Sequence, residues 1–303
     1  MTAALRIEPP AGHAEGGVRP ASTLIMLRET GTAPHAGAAP IEAFMQRRHE
    51  KMEFMPSFLV FPGGRMDSGD TAPRLLARTR GVDARNPEAA GLIVAAIRET
   101  FEECGVLFAR PAGSEALIDG ARAHALAEKR ASLNRSEVGF GDLIEAEGLE
   151  LAGDLIKPFA RWITPWWHQK RFDTHFFVAR APEGQEPLHD GGEAVESLWL
   201  APSREVLAAA IGRDRLLPPT QRSLQRIAEL GTLDKILALP QEDAFRAVRP
   251  WLERRAEGFV LMHEIVPGET PREMVIPRLS ALGISKDLID AIEADLAARG
   301  WRG

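Results

Sequence analysis

The chain has 303 residues, 45% of them apolar and 26% charged, the proportions of a folded globular protein and not of a disordered, collagen-like or low-complexity one. Forty-three acidic against 37 basic residues leave a net charge of −6 with the signs interspersed, which argues against a general nucleic-acid binder. Cys104, the single cysteine, cannot form an internal bridge, as expected of a protein kept in a reducing cytoplasm.

No apolar run approaches the roughly 18–20 residues that a membrane span needs. Residues 1–20 carry Glu8 and Glu15 among Pro and Gly, without the apolar stretch of a secretory signal, and read as a loose N-terminal segment. Thr23–Arg28 and Glu42–Arg48 read as strands separated by Gly- and Pro-rich sequence, and Ser57–Phe61 as a third that stops at Pro62-Gly63-Gly64. Asn86-Pro87-Glu88 is an N-cap with Pro in the first turn, which predicts a helix over Pro87–Cys104. Arg122–Arg135 and Phe140–Glu147 read as exposed helices; Arg161–Thr164, Thr174–Arg180 and Glu196–Leu200 read as strands. From Arg204 onward, Ala/Leu/Glu/Arg helical patterns dominate, with turns at Gly231, Pro240, Pro250 and Gly283. A mixed α/β domain followed by a helical C-terminal extension is therefore expected.

The chemistry is concentrated in Gly63-Gly64-Arg65-Met66-Asp67-Ser68-Gly69-Asp70 and in Arg98-Glu99-Thr100-Phe101-Glu102-Glu103-Cys104-Gly105-Val106. On an ideal helix Glu99, Glu102 and Glu103 stand at about 0°, 300° and 40°, within one arc. Three carboxylates thus share a face near a helix C-terminus, where both their mutual repulsion and the helix dipole disfavour them. A divalent cation would relieve both costs, and an all-oxygen donor set without paired Cys or His favours Mg²⁺ or Mn²⁺ over Zn²⁺. Arg98, four residues before Glu102, can brace that carboxylate. Gly105 suits a left-handed C-cap, and Gly63-Gly64 a tight turn whose backbone can approach a phosphate or metal.

The order Gly-Gly, acidic residues, Arg-Glu-x-x-Glu-Glu-x-Gly-Val resembles the box of the Nudix hydrolases, G-x5-E-x7-R-E-U-x-E-E-x-G-U, with Asp70 for its first Glu and Thr100 for the aliphatic U. Between Asp70 and Arg98 lie 27 residues, about 20 more than the family pattern has. An insertion here, about residues 71–90, together with Phe54-Met55-Pro56 and Arg171-Phe172-Asp173-Thr174, resembles the subgroup around the peroxisomal coenzyme A diphosphatase. The resemblance implies an α/β/α sandwich with a mixed sheet over residues 21–223, and residues 224–303 as the helical extension. It implies metal ligands at Glu99, Glu102, Glu103 and Gly64, with Arg98 orienting them and Mg²⁺ or Mn²⁺ as cofactor. The resemblance also implies that the base that activates water is Glu99 or a loop glutamate, Glu196 first and Glu193 second. Arg48, Gly63, Gly64 and Arg171 are the expected substrate contacts. The implied partner is a small nucleotide, with homodimerisation left open and neither nucleic acid nor membrane involved.

The substrate expected from the subgroup is coenzyme A or acyl-CoA. ADP-ribose or another nucleotide-sugar diphosphate is the alternative, and a non-catalytic nucleotide-sensing module is the competing class. Such a module would lose the box carboxylates, whereas all three helical ones are present. Cys104 has no base in its sequence context and reads as a packing residue. Trp166-Trp167-His168 reads as packing more than as a base-stacking platform.

Overall fold

The computed structural model describes residues 4–10, 17–31, 40–52, 56–189, 191–203, 216–244, 246–256, 258–263, 272–276, 278–282 and 284–299. Its strands are β1 (Leu5–Ile7), β2 (Val18–Glu29), β3 (Ile41–Arg48), β4 (Leu59–Val60), β5 (Gly63–Arg65), β6 (Ala109–Pro111), β7 (Leu149–Leu151), β8 (Lys157–Ile163), β9 (Arg171–Arg180), β10 (Ala194–Leu200), β11 (Ala247–Val248), β12 (Trp251–Arg255), β13 (Gly258–His263) and β14 (Arg272–Ile276). The chain divides into a larger unit, residues 20–160 and 175–245, and a smaller one, residues 1–19, 161–174 and 246–303.

In the larger unit the strand order is β10-β3-β2-β9-β8, with β4 on β3 and β5 on β2. Leu24, Ile25, Met26 and Leu27 of β2 are all fully buried. Side chains alternate across a strand, so an unbroken buried run means cover on both faces of the sheet, as the α/β expectation requires. Leu24 and Met26 join the cluster that contains Val94, Ile97 and Phe101 of helix Pro87–Cys104. That helix begins as the sequence predicts: the Asn86 side chain accepts from the Ala89 N–H at 3.3 Å and Pro87 opens the first turn. It stops at Gly105, whose φ of 77° is left-handed and whose N–H closes on Phe101 O.

The helices expected to be exposed are instead half-buried. Leu126 and Leu133, from helices Gly120–Ala127 and Arg130–Asn134, enter the same core with Phe140, Leu143 and Ile144 of helix Phe140–Ala146. The long insertion is also tied down. Leu75 and Leu76, on its helical turn Pro73–Leu76, are 2% and 3% exposed. Beyond that turn Thr79 bridges Leu151, and Arg80 pairs with Glu150 and Glu115 at 2.8 and 2.9 Å.

The smaller unit departs from the expectation at both ends of the chain. The segment read as loose supplies β1, which pairs with β12 in the order β1-β12-β13-β14. The region read as a helical extension contains these strands and β11, which runs parallel to Arg161–Trp162. Short strands such as Trp-Leu-Glu-Arg-Arg carry only one or two buried positions, too few for a period of two to stand out from the surrounding helical composition. Helix Lys286–Ala298 does form, and Ile292 and Leu296 meet Ile7, Leu252 and Trp167 in the core of this unit. Trp166 and Trp167 stack edge to face at 5.5 Å, with Trp167 only 3% exposed, so the pair is packing. Among the described residues no helix is long and apolar enough to cross a membrane.

Ile7 is 2% exposed on the edge strand, so Ile7→Ala should cost the smaller unit about 2–5 kcal/mol. Hydrogen exchange would show this as faster loss of protection in β12 and β13 than in helix Pro87–Cys104. Unchanged protection in β12 would mean that β1 adds nothing to this sheet.

Candidate active site

The two halves of the box meet despite the insertion, and a buried arginine joins them. Arg98, 7% exposed, sends Nε to Asp70 Oδ1 at 2.8 Å and Nη2 to Asp70 Oδ2 at 2.9 Å. Nη2 also reaches Arg65 O at 2.9 Å, while Nη1 holds Glu99 Oε1 at 2.9 Å and Glu102 Oε2 at 2.8 Å. The brace from Arg98 to Glu102 is the one its spacing predicts. Asp70, itself 1% exposed, also accepts from the Asp67 N–H at 2.8 Å and so fixes the turn Ser68–Thr71 that leads into the insertion.

Glu103 takes a different partner, its Oε2 accepting from the Gly63 N–H at 3.1 Å. Gly64 lies against Glu99: a Cβ there would stand 2.6 Å from the Glu99 carboxylate. The Gly-Gly turn therefore lets β5 run directly over the glutamates. Arg130 closes the far end of the helix, donating Nε to Glu102 O at 2.9 Å and Nη2 to Glu103 O. It serves carbonyls that a helix C-terminus leaves without partners.

These groups line a cleft of about 750 Å³ that also includes Arg65, Asp67, Arg74 and Glu193. Its own charges leave it strongly acidic. Burial pushes the Glu99 carboxyl up to about 7, the Arg98 charge opposing and the Glu102 charge adding to the shift. Burial also raises Glu102 against the pull of Arg98. Glu103 is raised well above the carboxylate range by burial and by the charges of Glu99 and Glu193, with the Gly63 N–H and Arg48 working the other way.

A hard divalent cation fits this donor set. The donors are all oxygen, burial raises the proton affinity of all three carboxyls so that a bound cation would offset the cost of ionising them, and a side chain at position 64 would fill the space beside Glu99. Among the described residues no three acidic, histidine or cysteine side chains form a ready-made coordination group. The partners explain this: Glu99 and Glu102 are turned to Arg98, and Glu103 to the Gly63 N–H.

The remaining expected residues separate. Glu193 lines the cleft, whereas Glu196, exposed on β10, is held by Arg47 Nε at 2.6 Å. A register irregularity between Ala194 and Glu196 sets Glu196 opposite Arg47. Arg48 stands close enough to oppose the rise of Glu103. Arg171 belongs to the smaller unit, where it is buried and donates Nε to Thr164 O at 3.1 Å. Cys104 is buried, donates to Thr100 O and has its pKa pushed up to about 12 by burial, which leaves no thiolate for nucleophilic work.

Sequence reasoning passed over Arg65 and Arg130. Arg74 is occupied by Asp142 at 2.5 Å and Arg98 by the acids above, so Arg65 is the cleft arginine without a carboxylate partner among the described residues. Its position directly after Gly64 was the available signal.

Arg98→Met leaves Asp70 buried without its cation and should cost about 3–5 kcal/mol. Adding Asp70→Asn to that variant should recover part of the loss, since no charge is then stranded. Urea unfolding of the single and double variants measures both, and a double variant no more stable than Arg98→Met would exclude a stranded charge as the cause.

A family model described as the NUDT19 Nudix domain matches residues 71–227, just over half of the chain. The acyl-coenzyme A diphosphatase NUDT19 of Gallus gallus is 25% identical over 285 residues, which cover 77% of this chain and 73% of that protein. The Homo sapiens protein of the same name is 26% identical, over 80% of this chain and 75% of its own length. Among solved structures, a NUDIX hydrolase from Alicyclobacillus acidocaldarius shares the fold with a TM-score of 0.57 and 26% identity, covering 75% of this chain and 98% of that one. With the box, its buried Arg98 brace and the family match in agreement, the chain belongs to the NUDT19 Nudix-domain family and is a Nudix hydrolase, an enzyme acting on phosphoric anhydrides.

Proposed function

We propose that this enzyme hydrolyses the diphosphate linkage of coenzyme A or an acyl-CoA, with Mg²⁺ or Mn²⁺ held by Glu99, Glu102 and Glu103 beside the Gly64 backbone. The observation that carries the reading is the meeting of three glutamates from one helix face with the Gly63-Gly64 turn in a cleft large enough for a nucleotide. The names borne by the chicken and human relatives favour coenzyme A as the nucleotide.

When bound, the cation offsets the negative charge of a diphosphate and lowers the pKa of water. The chain's own residues do the rest. The oxygen of water bonds to one phosphorus, the bridging P–O bond breaks, and the displaced phosphate departs with the electron pair. The proton released by the water needs a carboxylate base, and two in the cleft suit. Glu99 is one, its carboxylate held by Arg98 against the Gly64 backbone. Glu193 stands beside Glu103 on the cleft wall and is favoured over Glu196, which does not line the cleft. Arg98 touches no substrate in this reading; it positions Glu99 and Glu102. We assign the phosphate oxygens to Arg65, which lines the cleft, and to Arg48 on the strength of its nearness to Glu103.

Coenzyme A, an acyl-CoA, ADP-ribose and a nucleotide sugar, incubated with Mg²⁺ or Mn²⁺ and followed by mass, test the reading directly. Cleavage of coenzyme A to adenosine 3′,5′-bisphosphate and 4′-phosphopantetheine is expected. Glu102→Gln and Glu103→Gln should lose turnover by about 100-fold or more, and in chelator Glu103→Gln should melt no lower than the parent, because its amide oxygen can still accept from the Gly63 N–H while a charge that repels Glu99 is gone. Full activity in excess chelator would refute the metal, and cleavage of ADP-ribose alone would move the substrate to the nucleotide sugars.

The Glu99 carboxyl also sets a pH dependence. From about 4.5 to about 7 the folded chain keeps a proton that the unfolded chain has lost, so stability in chelator falls as pH rises through that window. A cation needs the ionised form, so its stabilising effect grows over the same rise. Thermal scans with and without Mn²⁺ should show Tm curves that diverge from pH 5 to 7. Parallel curves would mean that Glu99 is not a ligand.

A further inference from the structure

Resting on the coenzyme A reading, we propose that Asn134, Ser136 and Val138 form the subsite for the uncharged, amide-bearing arm of the substrate, the pantetheine half. The segment joining helix Arg130–Asn134 to helix Phe140–Ala146 alternates in a telling way. Asn134, Ser136 and Val138 line the cleft. The intervening Arg135 and Glu137 do not; they pair with each other at 2.7 Å. This stretch of wall thus shows the cleft only neutral side chains.

The segment is ordered for that presentation. Ser136 holds a φ of 56°, a left-handed conformation that a residue with a Cβ adopts only when its surroundings enforce it. Here Ser136 N–H donates to Leu133 O at 2.8 Å and Glu137 N–H to Ser132 O at 2.9 Å. The helix that leads into the turn starts at Arg130, whose guanidinium clamps the last carbonyls of the glutamate helix. Wall and glutamates are therefore fixed to one another.

The chemistry of the wall selects its ligand. The Asn134 amide and the Ser136 hydroxyl have no partner among the described residues, and Val138 is 43% exposed. Arg74 nearby is neutralised by Asp142. Phe140 is only 7% exposed and offers no face for stacking a base. Such a surface has no cation to neutralise an anion and no open ring face to stack an adenine, whereas it can hydrogen-bond an amide and cover methylene and methyl groups. A phosphorylated chain of amides and methylenes has that character; a nucleobase or a second phosphate does not.

The test titrates the two halves of coenzyme A separately, in the presence of Mg²⁺, against the parent enzyme and the variants Asn134→Ala, Val138→Asp and Val138→Lys. Val138 is exposed, so its variants should fold, and their melting curves check this. All three should weaken 4′-phosphopantetheine about tenfold, the value of one lost hydrogen bond or buried contact, and leave adenosine 3′,5′-bisphosphate within about twofold. Equal weakening of both halves overturns the proposal, as does no change in either or failure of the parent to bind 4′-phosphopantetheine. Opposite effects of Asp and Lys at position 138 also overturn it, because the wall would then act only on the charge of the phosphates. Coenzyme A turnover is measured alongside. A parent enzyme that binds 4′-phosphopantetheine through this wall without cleaving coenzyme A would refute the diphosphatase reading and leave the subsite standing.

Discussion

The arrangement of this molecule turns on one buried cation. Arg98 carries a full charge into the interior, and burial by itself would lower its pKa; the bonds to Asp70 and the charges of Glu99, Asp70 and Glu102 outweigh that and raise it. Only a guanidinium offers a planar fork wide enough to hold both Asp70 oxygens, the Arg65 carbonyl and two glutamates together. A lysine at this place would satisfy one or two of these and strand the others in a low-dielectric site. The fork has a second consequence. It joins residues on both sides of the insertion, so the length of chain between them does not set the geometry of the glutamates.

The glutamate helix is a case of local rules broken at a functional site and compensated nearby. Carboxylates at i, i+3 and i+4 beside a helix C-terminus are unfavourable on both charge and dipole grounds. Arg98 answers the first on one side of the helix, and Arg130 the second by capping the Glu102 and Glu103 carbonyls. Neither touches the Glu103 carboxylate, whose partner is the Gly63 N–H. The conflict left in the site is of the kind a divalent cation relieves, and it sits at the functional site and not in the core of the fold.

Much of this was legible in the chain because it depends on short-range chemistry. Asn86-Pro87 and Gly105 bound the helix where they should, and the four-residue step from Arg98 to Glu102 makes the expected pair. What lay beyond reach depends on register and on partners distant in sequence. A one-residue irregularity in the pairing of β10 with β3 decides that Glu196 meets Arg47 while Glu193 is left at the cleft. Arg130 looks like any surface arginine until its carbonyl partners are known. The C-terminal strands were missed for a related reason: Leu252 of β12 is buried because β1 and β13 flank it, and β1 lies some 245 residues earlier in the chain.

The insertion bears on how selectivity can change in such an enzyme. Its first helical turn sends Leu75 and Leu76 into the core and leaves Arg74 at the edge of the cleft, where Asp142 and Glu145 take up its charge. Asp142 and Glu145 belong to the helix that follows the neutral wall segment, so the insertion is tied to that helix through Arg74. Residues that select a substrate are thereby supported by elements that take no part in bond breaking, while the glutamates keep their own brace in Arg98. Changes in the wall can then alter which arm is accepted without disturbing the carboxylates, because the two sets share a cleft and the Arg130 clamp but no side-chain partner among the described residues.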